Sequence, residues 1–565
     1  HDRGPSNLDH GLLRAVDVLQ AGGRFGRGLG AIGHRRASPS LGQSILRRYN
    51  PAVKEVPVRI LVWHGWLLEG TGSNVYTAKV AEVWRRQGHE VLLLCQQPPS
   101  DRLDFVDVWQ TPTGPGRVEI MWAHGGRPTG GQVTVVRPDI GPLLPVFVLD
   151  EYEGFEVKRF VDLTEEELDA YLERNVSAVR DAAGGSPADA VIAGHLVPGP
   201  VVARRALGDG YVAKVHGSDL EYTVRLQERY AELAREGVEG ARAVVGASRD
   251  VLARTVAVAP AAEGRTRVIP PGVDVERWRP RLRPAAIEDA SARLDVDPDT
   301  VRGRPSDLDR TTRDLLAARH APGLEALPRT YEQGVPDPAA AERLRALARH
   351  GGPVIGYLGK LIPEKGVERL LEAAALLGSD VRVLVVGFGL GREWLAAVVA
   401  ALDDGDPAAH EWLGEASRLE LELDPEEVRA ARGFGERVTF TGRLDHRYAP
   451  EVVAALDVLV VPSTLEEAFG MVAAEGAAAG ALPLVARHSS LAEVAEALEG
   501  AAGRPDALSF EPGAGATRRL AEALEALLAL DRGEREGLRG AVRAHVAAEW
   551  TWERTAERLL DAAVR

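Results

Sequence analysis

Short apolar runs rich in β-branched residues recur along this chain, and glycine-containing loops follow several of them. The first run, VRILVW at 58–63, precedes such a loop at 64–74 and a helical period from Val75 to about Arg86. The run EVLLLC at 90–95 comes next. Strand, loop, helix and strand in this order form the repeating unit of a parallel sheet. The sequence therefore predicts an α/β fold.

The repeating units fall into two series, which predicts two doubly wound, Rossmann-like domains. The first series extends from about residue 56 to 282, and the second from about 350 to 545. Further strands are expected at 190–193, 211–215, 243–246, 353–358, 381–386, 438–441 and 458–461. In such sheets ligands bind outside the carboxyl ends of the strands, so the loops after these strands are the candidate site.

Two segments do not follow this repeat. Residues 283–349 are charged, punctuated by proline and helical in period, and they predict a helical insertion packed beside the cleft. Residues 1–55 carry nine Arg and Lys against four Asp and Glu, which predicts a basic tail rich in Gly and Arg. Helical spacing of Leu12, Val16 and Leu19 would allow peripheral contact with an anionic membrane, and the alternative is a solvated extension.

Composition excludes several classes of function. The chain has 565 residues, 45% of them hydrophobic, and a formal charge of −15, which argues against general nucleic-acid binding. A single cysteine, Cys95, excludes an internal disulfide and a thiolate-rich metal site, and it favours a cytoplasmic location. The sequence contains no run of about 18 apolar residues, so no membrane-spanning helix is predicted.

Two motifs suggest cofactors or metals but do not fit them. Gly387 to Gly391 (GFGLG) resembles a dinucleotide fingerprint, yet the third glycine would fall at Arg392, so a nicotinamide site is not expected. Asp295 and Asp297 form a D-x-D pair within the polar insertion, where a solvated turn is the expected structure. The histidines show no zinc-binding spacing, and no metal site is predicted.

The stretch STLEEAFGMVAAEGAAAG at 463–480 places two glutamates in otherwise small and apolar sequence. Glu467 is expected in a strand-to-helix loop and Glu475 within the following helix. The first-turn amides of that helix, from Gly470 to Val472, form an anion site. A phosphate bound there leaves both glutamates to accept hydrogen bonds from hydroxyls. The alternative is a buried alanine-rich helix whose glutamates face solvent.

The loop GKLIPEKG at 359–366 follows the first strand of the second series. It places Lys360 and Lys365 at the same carboxyl edge as the glutamates. Surface lysines are ordinarily only solvated, but a diphosphate leaving group without a metal needs cations in such a position.

Together these motifs resemble the retaining glycosyltransferases of family 4, which have the GT-B fold of two Rossmann-like domains facing a cleft. Glu467 to Glu475 resembles the family's E-x7-E pair. The other matching motifs are GKLIPEKG, VRVLVVGFG at 381–389, VTFTG at 438–442, VHGSD at 215–219, VIPPGVD at 268–274 and WTWER at 550–554. The last of these begins the helix that, in the family, returns to the first domain, here about residues 546–565.

The resemblance implies a role for each matched residue. Lys360 and Lys365 would hold the diphosphate, Glu475 the ribose and Glu467 the donor sugar. The other implied donor contacts are the backbone of Arg443 and Leu444 at the base and the amides from Gly470 through Met471 to Val472 at the distal phosphate. Gly70 and Gly72 would let backbone come close to the phosphates, and Ala468 and Phe469 would also contact the donor. His216 would approach the transferred sugar, and the loop 66–76 with the region of His195 would contact the acceptor.

The implied reaction is retaining transfer of a sugar from a nucleotide-diphosphate sugar to a hydroxyl acceptor, without a metal or another cofactor. The acceptor stays open among glycans, lipid-linked sugars and small molecules. Two departures from the family pattern bear on donor contacts: Ala468 replaces a glycine and would strain a turn that needs positive φ, and Lys360 replaces a bidentate arginine. The alternatives are a GT-B epimerase or phosphorylase, or a nucleotide-sugar-binding protein without catalysis.

Overall fold

A computed structural model describes residues 57–114, 117–123, 130–148, 152, 154–184 and 187–564. The described residues lie within one compact unit, Pro57–Arg565. The predicted basic tail and its membrane contact fall outside the described residues. Among the helices that are described, none combines the length and the apolar character that a bilayer crossing requires.

The first part of the chain forms a large, mostly parallel sheet. The strands before the insertion are β1 (Arg59–Trp63), β2 (Glu90–Leu94), β3 (Val108–Gly114), β4 (Arg117–Ala123), β5 (Gln132–Val136), β6 (Leu143–Val146), β7 (Glu156–Arg159), β8 (Ala190–Gly194), β9 (Val212–Lys214), β10 (Ala243–Gly246) and β11 (Thr266–Val268). The sheet has the order β11-β10-β9-β8-β1-β2-β5-β3-β4, with β3 and β4 antiparallel, while β6 and β7 pair separately. Ile60 in β1 lies between Val91 and Ala190, so the central strands are apolar on both faces and read as continuous hydrophobic runs.

Helices cover both faces of this sheet. They are α1 (Gly72–Arg86), α2 (Glu165–Ala183), α3 (Gly199–Leu207), α4 (Glu228–Gly240) and α5 (Arg249–Val258). Local chemistry fixes several of their starts: Thr164 and Glu167 form a capping box at α2, and Ser248 Oγ accepts from the Val251 amide at α5. A separate hydrophobic cluster fills each side of the sheet.

The predicted insertion is helical, and it belongs to the core of the second domain. Its helices are α6 (Arg283–Leu294), α7 (Leu308–Ala317), α8 (Ala321–Ala326) and α9 (Ala340–Ala348). Leu316 and Leu344 are buried in the same hydrophobic cluster as the strands that follow. Arg304 forms a bidentate pair with Glu393, with nitrogen–oxygen distances of 2.7 and 2.8 Å, and both side chains are at most 1% exposed.

The second sheet is parallel throughout. Its strands are β12 (Val354–Lys360), β13 (Arg382–Phe388), β14 (Val438–Phe440), β15 (Val458–Val461), β16 (Leu482–Ala486) and β17 (Ser509–Phe510), in the order β14-β13-β12-β15-β16-β17. Its helices are α10 (Val367–Leu376), α11 (Arg392–Asp404), α12 (Pro407–Ala416), α13 (Pro425–Ala430), α14 (Ala449–Ala454), α15 (Met471–Ala479), α16 (Ser489–Ala502), α17 (Ala516–Ala529) and α18 (Arg532–Glu549). The prediction of two parallel α/β sheets is confirmed.

The last helix, α19 (Trp552–Val564), packs against the first sheet. The Trp84 indole donates a hydrogen bond of 3.1 Å to the Ala556 carbonyl. Just before this helix, Thr551 forms a parallel bridge with Val273, and the Val273 amide donates to the Trp550 carbonyl at 2.8 Å. The chain therefore crosses between the sheets twice, at adjacent places.

The first domain differs from its sequence pattern in two places. Helix α1 begins at Gly72 rather than at Val75, so the predicted glycine loop is shorter. The sequence predicted no strands between residues 96 and 189, where β3 to β7 lie. β4 is exposed at nearly every position, and Pro112 interrupts β3, so neither has a simple alternating pattern.

Glu393→Ala should destabilise the second domain by about 3–5 kcal/mol, because it removes the buried bidentate partner of Arg304 and leaves this guanidinium only the largely exposed Asp309 as an ion-pair partner. The shift of the urea unfolding midpoint measures this effect. The control is Glu536→Ala, which removes an exposed pair with Arg532 that solvent screens, and it should shift the midpoint far less. Equal shifts for the two variants would contradict the structural importance of the buried pair.

Candidate active site

Two loops at the carboxyl edge of the second sheet meet in an ion pair. β12 ends at Lys360, and a 3-10 turn over Pro363–Lys365 follows it. The Lys365 ammonium contacts the Glu467 carboxylate, which also accepts a hydrogen bond of 3.0 Å from Ser463 Oγ. About a fifth of each paired side chain is exposed, 23% for the lysine and 18% for the glutamate. The pair is therefore accessible to a ligand but only partly screened by water.

Backbone contacts hold these two loops together. The amides of Thr464 and Leu465 both donate to the Glu364 carbonyl, at 3.0 and 3.1 Å. Gly366 has φ +61°, and a side chain there would collide with the Pro462 carbonyl. The lysine and glutamate loops are thus fixed relative to each other before any ligand binds.

The helix after β15 presents its N-terminus beside this pair. Gly470 precedes Met471 in the left-handed region, with φ +84°, and no side chain caps the helix. Its first-turn amides lack intrahelical acceptors and favour an anion. Glu475 is 7% exposed and lies 3.6 Å from His446 Nε2, and its carboxylate raises the pKa of that histidine. The arrangement offers an anion site with a buried carboxylate next to it.

The first domain lies directly against this region. A Cβ added to Gly217, in the loop after β9, would lie only 2.9 Å from the Ala468 Cβ, and one added to Gly72 would lie 3.9 Å from Met471 Sδ. Phe469 is buried against Trp550, with ring centroids 5.0 Å apart. The expected backbone strain at Ala468 is wrong, because its φ is not positive. Its methyl group instead occupies the gap opposite Gly217.

Ion pairs that the sequence did not predict join the domains at the same place. Glu466 accepts from Arg225 at 2.9 Å and from Arg254 at 3.4 Å, both in the first domain. Arg254 also contacts Glu221 and donates to the Glu467 carbonyl at 3.4 Å. Charged residues are too frequent in this chain for sequence alone to single out these partners.

Histidines cluster at the carboxyl edge of the first sheet. The His195 ring lies 4.6 Å from that of His216 and 4.5 Å from that of Trp66, measured between centroids. His195 has φ +67°, is 2% exposed, and neither of its ring nitrogens has a hydrogen-bond partner in the described structure. Asp219, fully buried, lies 3.9 Å from its Nδ1 atom. The structure thus brings together His195 and His216, which the sequence assigned to the acceptor and the transferred sugar.

The cluster is held in the neutral form. Burial lowers the pKa of His195 and His216 well below 6.5, and it lowers the pKa of His64 to about 4. His64 is fixed by contacts of 2.9 Å with the Leu67 carbonyl and the Asn74 side chain. Neutral imidazoles can exchange hydrogen bonds with sugar hydroxyls as donors or as acceptors.

The residues predicted at the base lie further along the same edge. Lys360 Nζ and Arg443 Cζ lie 5.9 and 4.9 Å from the centroid of the Phe388 ring. Leu444 is buried, and the Arg443 amide already donates to the Val335 carbonyl at 3.2 Å. That amide is therefore not available to read a base as the sequence suggested.

A Cβ added to Gly70, where φ is +95°, would meet no atom within 4 Å, so the space beside this glycine is open.

The prediction of a solvated turn at the D-x-D pair is wrong for Asp297. Asp297 is buried and accepts a hydrogen bond of 2.6 Å from the Tyr448 hydroxyl, whereas Asp295 pairs with Arg345 at the surface. In the part of the chain that the structure describes, no group of three His, Cys, Asp or Glu side chains could hold a metal ion.

Comparison with known proteins decides the family. The model described as "Glycosyltransferase Family 4" matches residues 113–277, and the model described as "Glycosyl transferases group 1" matches residues 341–543. The chain belongs to glycosyltransferase family 4. Both models describe glycosyltransferases, the class of enzyme that the sequence predicts.

Curated relatives of this family-4 member align only in part. The 2-deoxystreptamine glucosyltransferase of Streptomyces kanamyceticus is 34% identical over 24% of this chain and 28% of its own length. The D-inositol 3-phosphate glycosyltransferase of Nocardia farcinica is 32% identical over 40% of this chain and 43% of its own length. The chain thus spans less than half the length of both relatives.

Solved structures share the fold over most of the chain. Sucrose-phosphate synthase from Thermosynechococcus elongatus covers 89% of this chain and 98% of its own, with 18% identity and a TM-score of 0.51. HepE from Anabaena, in complex with UDP and glucose, gives the same coverage with 15% identity and a TM-score of 0.52. The predicted GT-B fold is confirmed.

The histidine cluster predicts loss of stability in mild acid. Below about pH 6.5 the histidines are protonated in the unfolded chain but stay neutral in the folded protein. The free energy of unfolding should therefore fall from about pH 6.5 toward pH 4. His195→Asn tolerates the positive φ and should reduce this pH dependence of the urea midpoint. His320→Asn, at an exposed position, should keep it, and identical pH profiles for wild type and His195→Asn would contradict the prediction.

Proposed function

We propose that this chain transfers a sugar from a nucleotide-diphosphate sugar to a hydroxyl acceptor, with retention of configuration and without a metal. The observation that carries the proposal is the Lys365–Glu467 ion pair beside the uncapped N-terminus of α15. A cation, free amides and a carboxylate occur side by side at a strand edge, which suits a diphosphate joined to a hydroxyl-rich group.

In this proposal the donor replaces contacts that the residues of the site make with one another. The diphosphate would take Lys365 and Lys360 as cations and the amides from Gly470 to Val472 as donors. Glu467, released from the lysine, would accept from a hydroxyl of the donor sugar, and Glu475 would accept from the ribose. The ion pair keeps both side chains oriented until the ligand arrives, which reduces the ordering cost of binding.

The chemical step requires stabilisation of the leaving group. The bond between the anomeric carbon and the diphosphate oxygen breaks while the acceptor oxygen bonds to the same carbon on the same face. The acceptor proton passes to the departing phosphate oxygen, so a protein nucleophile is unnecessary. Negative charge accumulates on the diphosphate, where Lys365 and the helix amides would stabilise it most strongly in the transition state.

The first domain would supply the acceptor side. His216 and the contact between Gly217 and Ala468 adjoin the loop that carries Glu467, which supports a closed site that excludes water. His195, neutral and lacking hydrogen-bond partners in the described structure, would bind an acceptor hydroxyl.

Two relatives are named for 2-deoxystreptamine and D-inositol 3-phosphate, which supports a small polyhydroxylated acceptor. HepE, a structural neighbour, binds UDP, which supports the donor class.

Lys365→Ala should lower kcat more than it raises the KM for the donor, because charge on the diphosphate grows as the glycosidic bond breaks. Steady-state kinetics with a nucleotide sugar measure both constants. Glu475→Ala provides the contrast: it removes the carboxylate that would accept from the ribose and should mainly raise KM. A Lys365→Ala enzyme whose KM alone changes would show that the lysine only anchors the ground state.

Transfer should continue in excess EDTA and should retain the anomeric configuration. The reason is that lysines and helix amides occupy the position where a carboxylate-bound cation would otherwise neutralise the diphosphate. The anomeric proton coupling of the product, read by NMR, gives the stereochemistry in the same reaction. Activity that chelation abolishes and Mg²⁺ or Mn²⁺ restores would overturn the metal-free step, and an inverted product would overturn retention.

A further inference from the structure

An arginine of the first domain, Arg254 in α5, contacts loops of both domains beside the proposed donor site. Its Nη1 atom donates to the Glu221 carboxylate, which lies in the short helix after β9. The same nitrogen donates to Glu466 Oε2, and Nη2 donates to the Glu467 carbonyl, both at 3.4 Å. The guanidinium therefore lies between the segment that follows the histidine loop and the loop that carries the donor-facing glutamate.

Arg254 is itself held by its own helix. Its Nε and Nη2 atoms both donate to Asp250 Oδ2, at 3.0 and 2.7 Å, and only 13% of its side chain is exposed. Because the guanidinium is planar and its nitrogens are fixed relative to one another, fixing two of them also directs the third. The side chain is therefore oriented toward the second domain by contacts within the first.

The backbone of Glu467 is held at both of its polar groups. Its amide donates to Ser489 Oγ at 3.2 Å, and its carbonyl accepts from Ser490 Oγ at 2.7 Å, both at the start of α16. Arg254 adds a charged donor to the same carbonyl from the other domain. The two serines thus fix this loop within the second domain, and the arginine relates it to the first.

The start of α5 is joined to α16 as well. Glu493 of α16 accepts from the Arg249 and Asp250 amides, at 2.9 and 2.7 Å, so a carboxylate of one domain caps a helix of the other. Free amides and the helix dipole both favour a carboxylate at this position. The Arg249 side chain donates to Glu496 at 3.1 Å. These contacts set the position of α5, and with it Arg254, relative to the glutamate loop.

A second arginine shares the carboxylates that Arg254 contacts. Arg225 donates to Glu221 at 2.6 Å and to Glu466 at 2.9 Å. Its side chain is 46% exposed, against 13% for Arg254, so solvent screens its charge more strongly. Arg225 holds Glu466 more closely, whereas Arg254 reaches the backbone of Glu467. The two arginines therefore have different parts in the same network.

We propose that Arg254 is a positioning residue for Glu467, which it fixes for the donor sugar only when the two domains are closed. The inference rests on the proposed function, in which the diphosphate takes Lys365 and the glutamate accepts from a sugar hydroxyl. Once the lysine has left, Ser463 and the fixed backbone determine where the carboxylate points. Recognition of the sugar is thereby coupled to domain closure, whereas the nucleotide is bound by residues of the second domain alone.

Calorimetric titration of the full chain with UDP, GDP and ADP, and with UDP-glucose, GDP-mannose and ADP-glucose, tests this role. The decisive quantity is the Kd for the nucleotide divided by the Kd for its sugar, for the pair that wild type binds most tightly. Arg254→Met should lower this ratio about fivefold or more, because the glutamate is no longer held for the sugar hydroxyl. The Kd for the nucleotide alone should change by less than about twofold, since its contacts remain.

Arg254→Lys tests rescue by the conservative variant. It retains the charge and one donor but loses the fork, so its ratio should lie between those of wild type and Arg254→Met. Thermal unfolding shows whether each variant folds. Should Arg254→Met fail to fold, the lysine variant decides: a ratio lowered with unchanged nucleotide affinity supports the inference, and a wild-type ratio overturns it.

Arg249→Met is the matched control, because it removes another interdomain arginine of α5, one that is 71% exposed and contacts Glu496. It should leave the ratio within about twofold of wild type, since the pair it removes is screened by solvent. Equal losses for Arg249→Met and Arg254→Met would overturn the inference, because contact between the domains in general would then be responsible.

Two further results separate the inference from the proposed function. An unchanged ratio in Arg254→Met, or affinities for nucleotide and nucleotide sugar that fall by the same factor, would overturn the positioning role and leave the proposed donor class intact. Failure of every nucleotide and nucleotide sugar to bind wild type would instead overturn the proposed function.

Discussion

Parallel pairing in the second sheet determines where the chemistry of this protein can lie. Because β12, β13, β14 and β15 all run in the same direction, the loops that follow them emerge at one edge. That edge gathers the lysine loop, the glycine-rich turn before α11, the Arg443 segment and the helix that begins at Met471. No single segment contains the site, and the register of the strands sets the spacing between its parts.

Electrostatic balance within the site follows from this crowding. Lys365 and Glu467 neutralise each other, because an unpaired charge on either side chain would be costly at such low solvent exposure. Arg254 and Arg225 neutralise Glu466, one residue earlier in the chain. The first-domain arginines thus act on the loop that carries the donor-facing glutamate. Approach of the two domains and orientation of that glutamate are therefore coupled through charges.

The sequence revealed the sheets because their central strands are buried on both faces and read as unbroken apolar runs. It also placed Lys365, Glu467 and Glu475 at one edge, since the loops after buried parallel strands must meet. It could not reveal the strands from 108 to 159, where exposure and proline remove the simple pattern. The burial of Asp297 and the occupation of the Arg443 amide by Val335 depend on contacts between segments distant in sequence, which local patterns do not encode.

The two crossings between the domains lie side by side, with Val273 bridged to Thr551 and the final helix anchored through Trp84. Two adjacent chain segments that are joined by hydrogen bonds resist being pulled apart, but they permit rotation about the line along which they lie. The return of the last helix therefore makes the connection a hinge with a defined axis, and it restricts opening of the cleft to a swing rather than a free drift of one domain from the other.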